Sequence, residues 1–364
     1  MCLYLYLLRP VINIKKMIKI YYKFIHAKFN IKLNNLDPLT FFLLNILILI
    51  SILDMNNEII FDKNIVFANS EITARDGYNN NGNYEVNISD IPAKKITLGD
   101  IDIAYKIFGK GESPLVLISG SANVMEAWPT SFLNEMALTH KVIIFDNRGV
   151  GNTTIGTQPF TVQQFANDTA KLLDALKIQR ANILGFSMGS FVAQQFTLNH
   201  PEKVNKLVLY GSSCGGKDAI PQNPEIVKTI SDIVNNRTTD EKTILSLTFP
   251  LEWIKANPNY QHNIPKSKEI VTLSIVKKQF EAVEEWVATN WSGTCANLQK
   301  IKSPTLVISG LNDAVIPSEN SLIIAEKIKK SWLVQINGAG HGLMYQYPEQ
   351  FSRVVKTFFE NKFN

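Results

Sequence analysis

From residue 95 onward the chain keeps a rhythm that few folds accommodate. Short apolar runs recur at Pro114–Ile118, Lys141–Phe145, Ala181–Gly185, Lys206–Tyr210, Pro304–Ser309 and Ser331–Ile336. Longer stretches with helical apolar spacing lie between them, at Val162–Leu176, Phe191–Asn199 and Glu319–Lys329. Before them, Ile96-Thr97-Leu98 and Ile101–Tyr105 flank Gly99-Asp100 as an opening hairpin. Strands alternating with helices imply an α/β domain over 95–361, with a mainly parallel eight-stranded sheet and helices on both faces.

Between Gly216 and Lys302 the rhythm breaks. This stretch lacks short β runs and reads as helices that include Trp253, Phe280, Trp286 and Trp291. An insertion after the sixth strand, at about 217–302, is expected over the carboxyl edge of the sheet as a helical lid. A helical layer packed elsewhere would give the same aromatic spacing.

The chain before residue 95 is organised differently. Residues 1–37 are basic, and residues 38–53, PLTFFLLNILILISIL, carry no charge. Sixteen residues are slightly short of the roughly 17–25 of a spanning helix. With basic residues before it and acids after it, the run reads as a transmembrane signal anchor or a signal h-region. The α/β domain would then lie outside the cytoplasm, anchored to the membrane, or secreted after cleavage beyond Val66-Phe67-Ala68. The long basic region favours the anchor, whereas a true start at Met55 would leave a cytoplasmic protein. Residues 54–94, with Asn79-Asn80-Asn81-Gly82, read as a linker.

Charge follows the same division. Of the net +5, residues 1–68 carry +4, from eight basic and four acidic side chains. About +1 is left for the body, so no basic surface for phosphates and no nucleic-acid partner is expected there. Cys2, Cys214 and Cys295 have no CxxC spacing, which argues against a metal site. Cys214 and Cys295 read as free buried thiols, with a bridge between them open if the domain is exported.

The chemistry gathers around Gly185-Phe186-Ser187-Met188-Gly189. A serine hydroxyl barely ionises at neutral pH, so it needs an adjacent base, and that base needs an orienting acid. Here the strand Ala181–Leu184 leads into Ser187, a helix starts at Ser190, and glycines at two before and two after relieve crowding at a sharp turn. Asp313 follows the strand Leu306–Ser309 and faces the same crevice. The alternative position, Gly211-Ser212-Ser213-Cys214, holds no carboxylate. His341 follows Leu333–Ile336 between glycines that let a loop present it, unlike His26, His140, His200 and His262. For the oxyanion, the main-chain N–H of Met188 and of Ser121, in Ser119-Gly120-Ser121-Ala122, are the expected donors.

These motifs, in the order Ser187, Asp313, His341, resemble the α/β-hydrolase family of small esterases, lactonases and cofactor-free haloperoxidases. Asp146-Asn147-Arg148-Gly149-Val150-Gly151-Asn152-Thr153 is similar to that family's Asp-x-Arg-Gly-x-Gly-x-Ser/Thr loop, whose role there is mainly structural. The chain departs from many relatives in having Ser119-Gly120 where they have His-Gly. The resemblance implies hydrolysis of a carboxylic ester on a small acyl substrate, with no cofactor and no metal. A thioester, a lactone or a carbon–carbon bond would use the same triad. A non-catalytic ligand receptor or membrane-tethered interaction protein is the reading from a different class.

Overall fold

The computed structural model describes residues 65–68, 88–235, 240–265, 267, 269, 271–291 and 293–363. The segments 1–37 and 38–53 and most of 54–94 lie outside the described residues. Among the described residues no helix is long and apolar enough to cross a membrane.

The strands are β1 (Ile65–Ala68), β2 (Lys94–Leu98), β3 (Ile101–Phe108), β4 (Ser113–Ile118), β5 (His140–Phe145), β6 (Ala181–Phe186), β7 (Val204–Tyr210), β8 (Thr305–Gly310) and β9 (Ser331–Ile336). They form one nine-stranded sheet in the order β1-β9-β8-β7-β6-β4-β5-β3-β2. Only the β2–β3 and β3–β5 pairings are antiparallel. The helices in chain order are α1 (Thr130–Ala137), α2 (Val162–Ala175), α3 (Met188–Asn199), α4 (Pro224–Val234), α5 (Glu241–Thr248), α6 (Leu251–Ala256), α7 (Leu273–Val287), α8 (Glu319–Lys327), α9 (Leu343–Gln346) and α10 (Pro348–Glu360).

Successive residues of a strand point to opposite faces, and here both faces are buried. In β4, Val116 and Ile118 join a core with Phe165 of α2 and Phe191 and Phe196 of α3. Leu115 and Leu117 join the other, with Phe132 of α1 and Phe351 and Phe358 of α10. That is why the strand runs are continuously apolar. Each fully buried aliphatic or aromatic side chain contributes about 1.5–3 kcal/mol.

Two expectations need correction. The sheet has a ninth strand inside the stretch expected to be linker: β1 pairs in parallel with β9, from Ile65 opposite Leu333 to Ala68 opposite Ile336. Four apolar residues are too few to stand out locally, and their partner lies at the far end of the chain. Cys214 and Cys295, expected as free thiols, are joined in a disulfide with a Cα–Cα distance of 5.0 Å. They are 81 residues apart in sequence because the insertion carrying α4 to α7 leaves the sheet after β7 and returns before β8. Beside the bridge, Thr294 N–H donates to the Cys214 carbonyl (2.8 Å), and its hydroxyl donates to Gln194 Oε1 on α3 (2.9 Å). The base of the insertion is thereby tied to the helix that follows Ser187.

A cross-link of this loop length stabilises chiefly by restricting the unfolded chain. Replacing both cysteines by alanine is expected to lower the free energy of unfolding by about 2–4 kcal/mol. Urea titrations followed by tryptophan fluorescence measure it, and an unchanged midpoint would contradict it.

Candidate active site

Strand β6 ends at Phe186 and α3 begins at Met188, so the whole change of direction falls on Ser187. Its φ of +53° is the left-handed region that non-glycine residues avoid, a strain of about 1–3 kcal/mol. Close backbone approach maintains it. A Cβ on Gly185 would lie 2.2 Å from the Gly189 carbonyl oxygen, and one on Gly189 2.1 Å from that of Ile118. Ser187 N–H donates to the Tyr210 carbonyl (3.0 Å), and the Ser187 carbonyl accepts from Ser190 Oγ (2.6 Å).

The three residues expected to act together are brought together. His341 Nε2 lies 3.0 Å from Ser187 Oγ, and His341 Nδ1 lies 2.8 Å from Asp313 Oδ2. The other carboxylate oxygen of Asp313 accepts the backbone N–H groups of Val315 and Ile316, each at 2.9 Å. One oxygen is thus clamped by main chain and the other aimed at the imidazole. Asp313 and His341 are both buried.

Several residues that hold this arrangement escaped the sequence reading. The Tyr210 hydroxyl donates to the His341 carbonyl and accepts from Met344 N–H (3.3 Å). Burial raises the Tyr210 pKa well above its ordinary value, so the phenol keeps its proton. Phe186 stacks on Tyr210 (4.6 Å between centroids) and packs against the His341 ring (5.0 Å). Gln346 Oε1 accepts Gly340 N–H (2.6 Å) and its amide nitrogen donates to the Gly338 carbonyl (3.2 Å), bracing the loop that carries His341.

The Ser119–Ala122 turn lies against Ser187: a Cβ on Gly120 would approach Ser187 Cβ to 3.1 Å. Met188 opens α3, so its N–H has no partner within the helix. The Ser121 hydroxyl donates to Met188 Sδ (3.4 Å), joining the two residues expected to supply oxyanion donors. Next to them Ala122 is left-handed, with φ +59°, and its N–H donates to Oε1 of Gln279 on α7 (2.8 Å). Gln279 is fully buried. Its signal in sequence is a polar residue on the buried stripe Ile275, Gln279, Ala282, Trp286. Among the described residues the Ser119 hydroxyl is buried without a hydrogen bond.

In front of the pair Ser121 and Ser187 opens a cavity of about 300 Å³. Phe191, Val227, Ile230, Phe280, Val283 and Val287 give it a mainly apolar wall, much of it from the insertion. Among the described residues no group of three His, Cys, Asp or Glu side chains could hold a metal ion.

The Asp146–Thr153 loop supports the site from behind. Arg148, fully buried, pairs with Asp100 (2.6 Å) and Asp168 (2.9 Å), and its guanidinium holds the Asp100 carboxyl well below the usual carboxylate range. Asn147 Nδ2 donates to the Ser119 carbonyl (3.1 Å). Asp146 accepts from Met125 N–H (2.7 Å) and Asn152 N–H (3.1 Å), yet burial pushes its pKa up to about 6. The folded state therefore holds a proton there that the unfolded chain has lost above about pH 4. This contribution to stability is full below pH 4 and lost as pH rises through 6. Relative to Asp146→Asn, wild-type unfolding free energy is expected to fall by up to about 3 kcal/mol between pH 4 and 7. Urea denaturation of both proteins across that range measures it; a constant difference would contradict the shift.

Comparison with known proteins shows the family and the fold. The family model for the alpha/beta hydrolase fold matches residues 113–348. A 2-hydroxy-6-oxononadienedioate/2-hydroxy-6-oxononatrienedioate hydrolase of Pseudomonas putida is 25% identical over 277 residues, 72% of this chain and 93% of that protein. A poly(3-hydroxyalkanoate) depolymerase of Ectopseudomonas oleovorans is 25% identical over 252 residues, 69% and 85% of the two chains. Among solved structures, an alpha/beta hydrolase fold protein from Chitinophaga pinensis superposes with a TM-score of 0.64 at 22% identity, covering 75% of this chain and 99% of its own.

Proposed function

For a chain that belongs to the alpha/beta hydrolase fold family, we propose cleavage of the carboxylic ester of an uncharged, apolar acid through an acyl-serine intermediate. The observation that carries the reading is the unbroken relay from Asp313 through His341 to Ser187, at 2.8 and 3.0 Å. His341 Nε2 takes the Ser187 proton as Oγ attacks the carbonyl carbon. Asp313 keeps the imidazole oriented and stabilises its cationic form. The amides of Met188 and Ser121 receive the developing oxyanion. His341 then protonates the leaving alcohol, and later activates the water that releases the acid.

The substrate class follows from the cavity wall. Among its described lining residues there is no lysine, arginine or histidine. A dicarboxylate of the kind the Pseudomonas putida relative is named for would be desolvated there without a cation to meet it. An apolar acyl chain gains by the same burial.

The domain reads best as tethered outside the cytoplasm by residues 38–53. A disulfide persists in oxidising compartments, and cleavage after Ala68 would remove β1, which favours a retained anchor.

A fluorophosphonate probe is expected to label Ser187 in the folded protein; no adduct would favour a non-catalytic receptor. Ser187→Ala should lower p-nitrophenyl hexanoate turnover at least about 10³-fold, and equal rates would reject the mechanism. The p-nitrophenyl hemisuccinate ester should have a kcat/KM at least about tenfold below the hexanoate. Because Gln279 holds Ala122, Gln279→Met is expected to lower kcat about tenfold with little change in KM, while Gln279→Glu, which keeps the acceptor oxygen, retains most activity. A loss confined to KM would mean that Gln279 serves the cavity and not the turn.

A further inference from the structure

In a parallel sheet all strands enter at one edge and leave at the other. Ser187, Asp313 and His341 follow the carboxyl ends of β6, β8 and β9. The opposite, amino edge carries a second feature. There Arg180, Lys206, Lys302, Lys330 and Lys362 line one open cleft, with Glu360 as the carboxylate among them. The geometry is set by topology: Arg180 precedes β6, Lys206 lies near the start of β7, Lys302 precedes β8 and Lys330 precedes β9, and these strands are neighbours in that order. Adjacent strands are about 4.8 Å apart, so the cations form a row. Lys206 is bound to the Phe358, Phe359 and Asn361 carbonyls at the end of α10, and Arg180 Nε donates to the Val204 carbonyl (3.2 Å). Arg180, Lys302, Lys330 and Lys362 are solvent-exposed. The body's near-zero net charge therefore hides an uneven distribution, which corrects the expectation of no basic surface there.

The chain also enters the sheet at this edge. Because β1 runs parallel to β9, Ile65 is its amino end, three residues along the ladder from the level of Lys330. Eleven residues, 54–64, separate Ile65 from the uncharged run 38–53. Fully extended, they span at most about 40 Å.

We propose that this basic amino edge is a docking face for an anionic phospholipid surface, which turns the cavity at the carboxyl edge away from the bilayer. Each cation near such a surface adds attraction that decays within a Debye length. The orientation rests on the reading of 38–53 as an anchor; attraction of the cleft to anionic headgroups does not.

The test uses the full chain mixed with vesicles of phosphatidylcholine alone or with phosphatidylglycerol added. Lysine acylation by a water-soluble reagent is followed residue by residue by mass spectrometry. Lys302, Lys330 and Lys362 are expected to react at least about threefold more slowly on the anionic vesicles, an effect reversed by about 0.5 M NaCl. Lys217 and Lys277, in the insertion, should react alike on both. In the variant Arg180→Glu/Lys302→Glu/Lys362→Glu the protection of Lys330 should disappear. Equal rates at the amino edge on the two vesicles would overturn the proposal, as would equal protection by inorganic phosphate without vesicles, which would point to a soluble ligand. Retention on pure phosphatidylcholine through alkaline carbonate reports the anchor separately. Without it, slower acylation on anionic vesicles still supports the docking face.

Discussion

The left-handed backbone at Ser187 depends on how closely β6, β4 and α3 approach one another, and the rest of the site depends on that turn. With no side chain on Gly185 or Gly189, the main chains pass at distances that a Cβ would bring to about 2 Å. Ser187 Oγ then stands clear of the sheet, where it meets His341. Packing on both faces of the sheet supplies the rigidity that resists relaxation of the strain, through Phe191 and Phe196 on one side and Phe186 and Tyr210 on the other.

The same sheet separates two electrostatic tasks. Beside Ser187 at its carboxyl edge, buried Asp313 faces His341, and a mainly apolar wall lines the cavity. In the cleft at its amino edge five cations face one carboxylate, and four of those cations are exposed. A mean over the body cancels these two ends. Chemistry that needs a dry, preorganised site and attraction that needs a wet, charged surface can coexist in one domain only because strand direction keeps them on opposite sides.

Much of this was legible in the chain itself. Six apolar runs became β4 to β9 within a few residues, and the hairpin at Gly99-Asp100 is β2 and β3. That Ser187, Asp313 and His341 meet was readable because a triad needs its members after particular strands, and glycines mark the turns that present Ser187 and His341. What escaped depends on contacts between distant segments. β1 is four residues whose identity as a strand comes from β9. Gln279 and Tyr210 are ordinary until the fold places one against Ala122 and the other against the His341 carbonyl.

The amino-acid sequence by itself determined the α/β alternation, the order Ser187, Asp313, His341 and the glycines that permit a sharp turn, since these follow from local spacing and backbone sterics. Only the tertiary structure decided that Cys214 and Cys295 pair, that α7 reaches the Ser121 turn, and that cations scattered from Arg180 to Lys362 share one cleft. Each of those is a meeting of residues far apart in the chain. Such meetings are set by how helices and strands pack, a quantity that local periodicity does not contain.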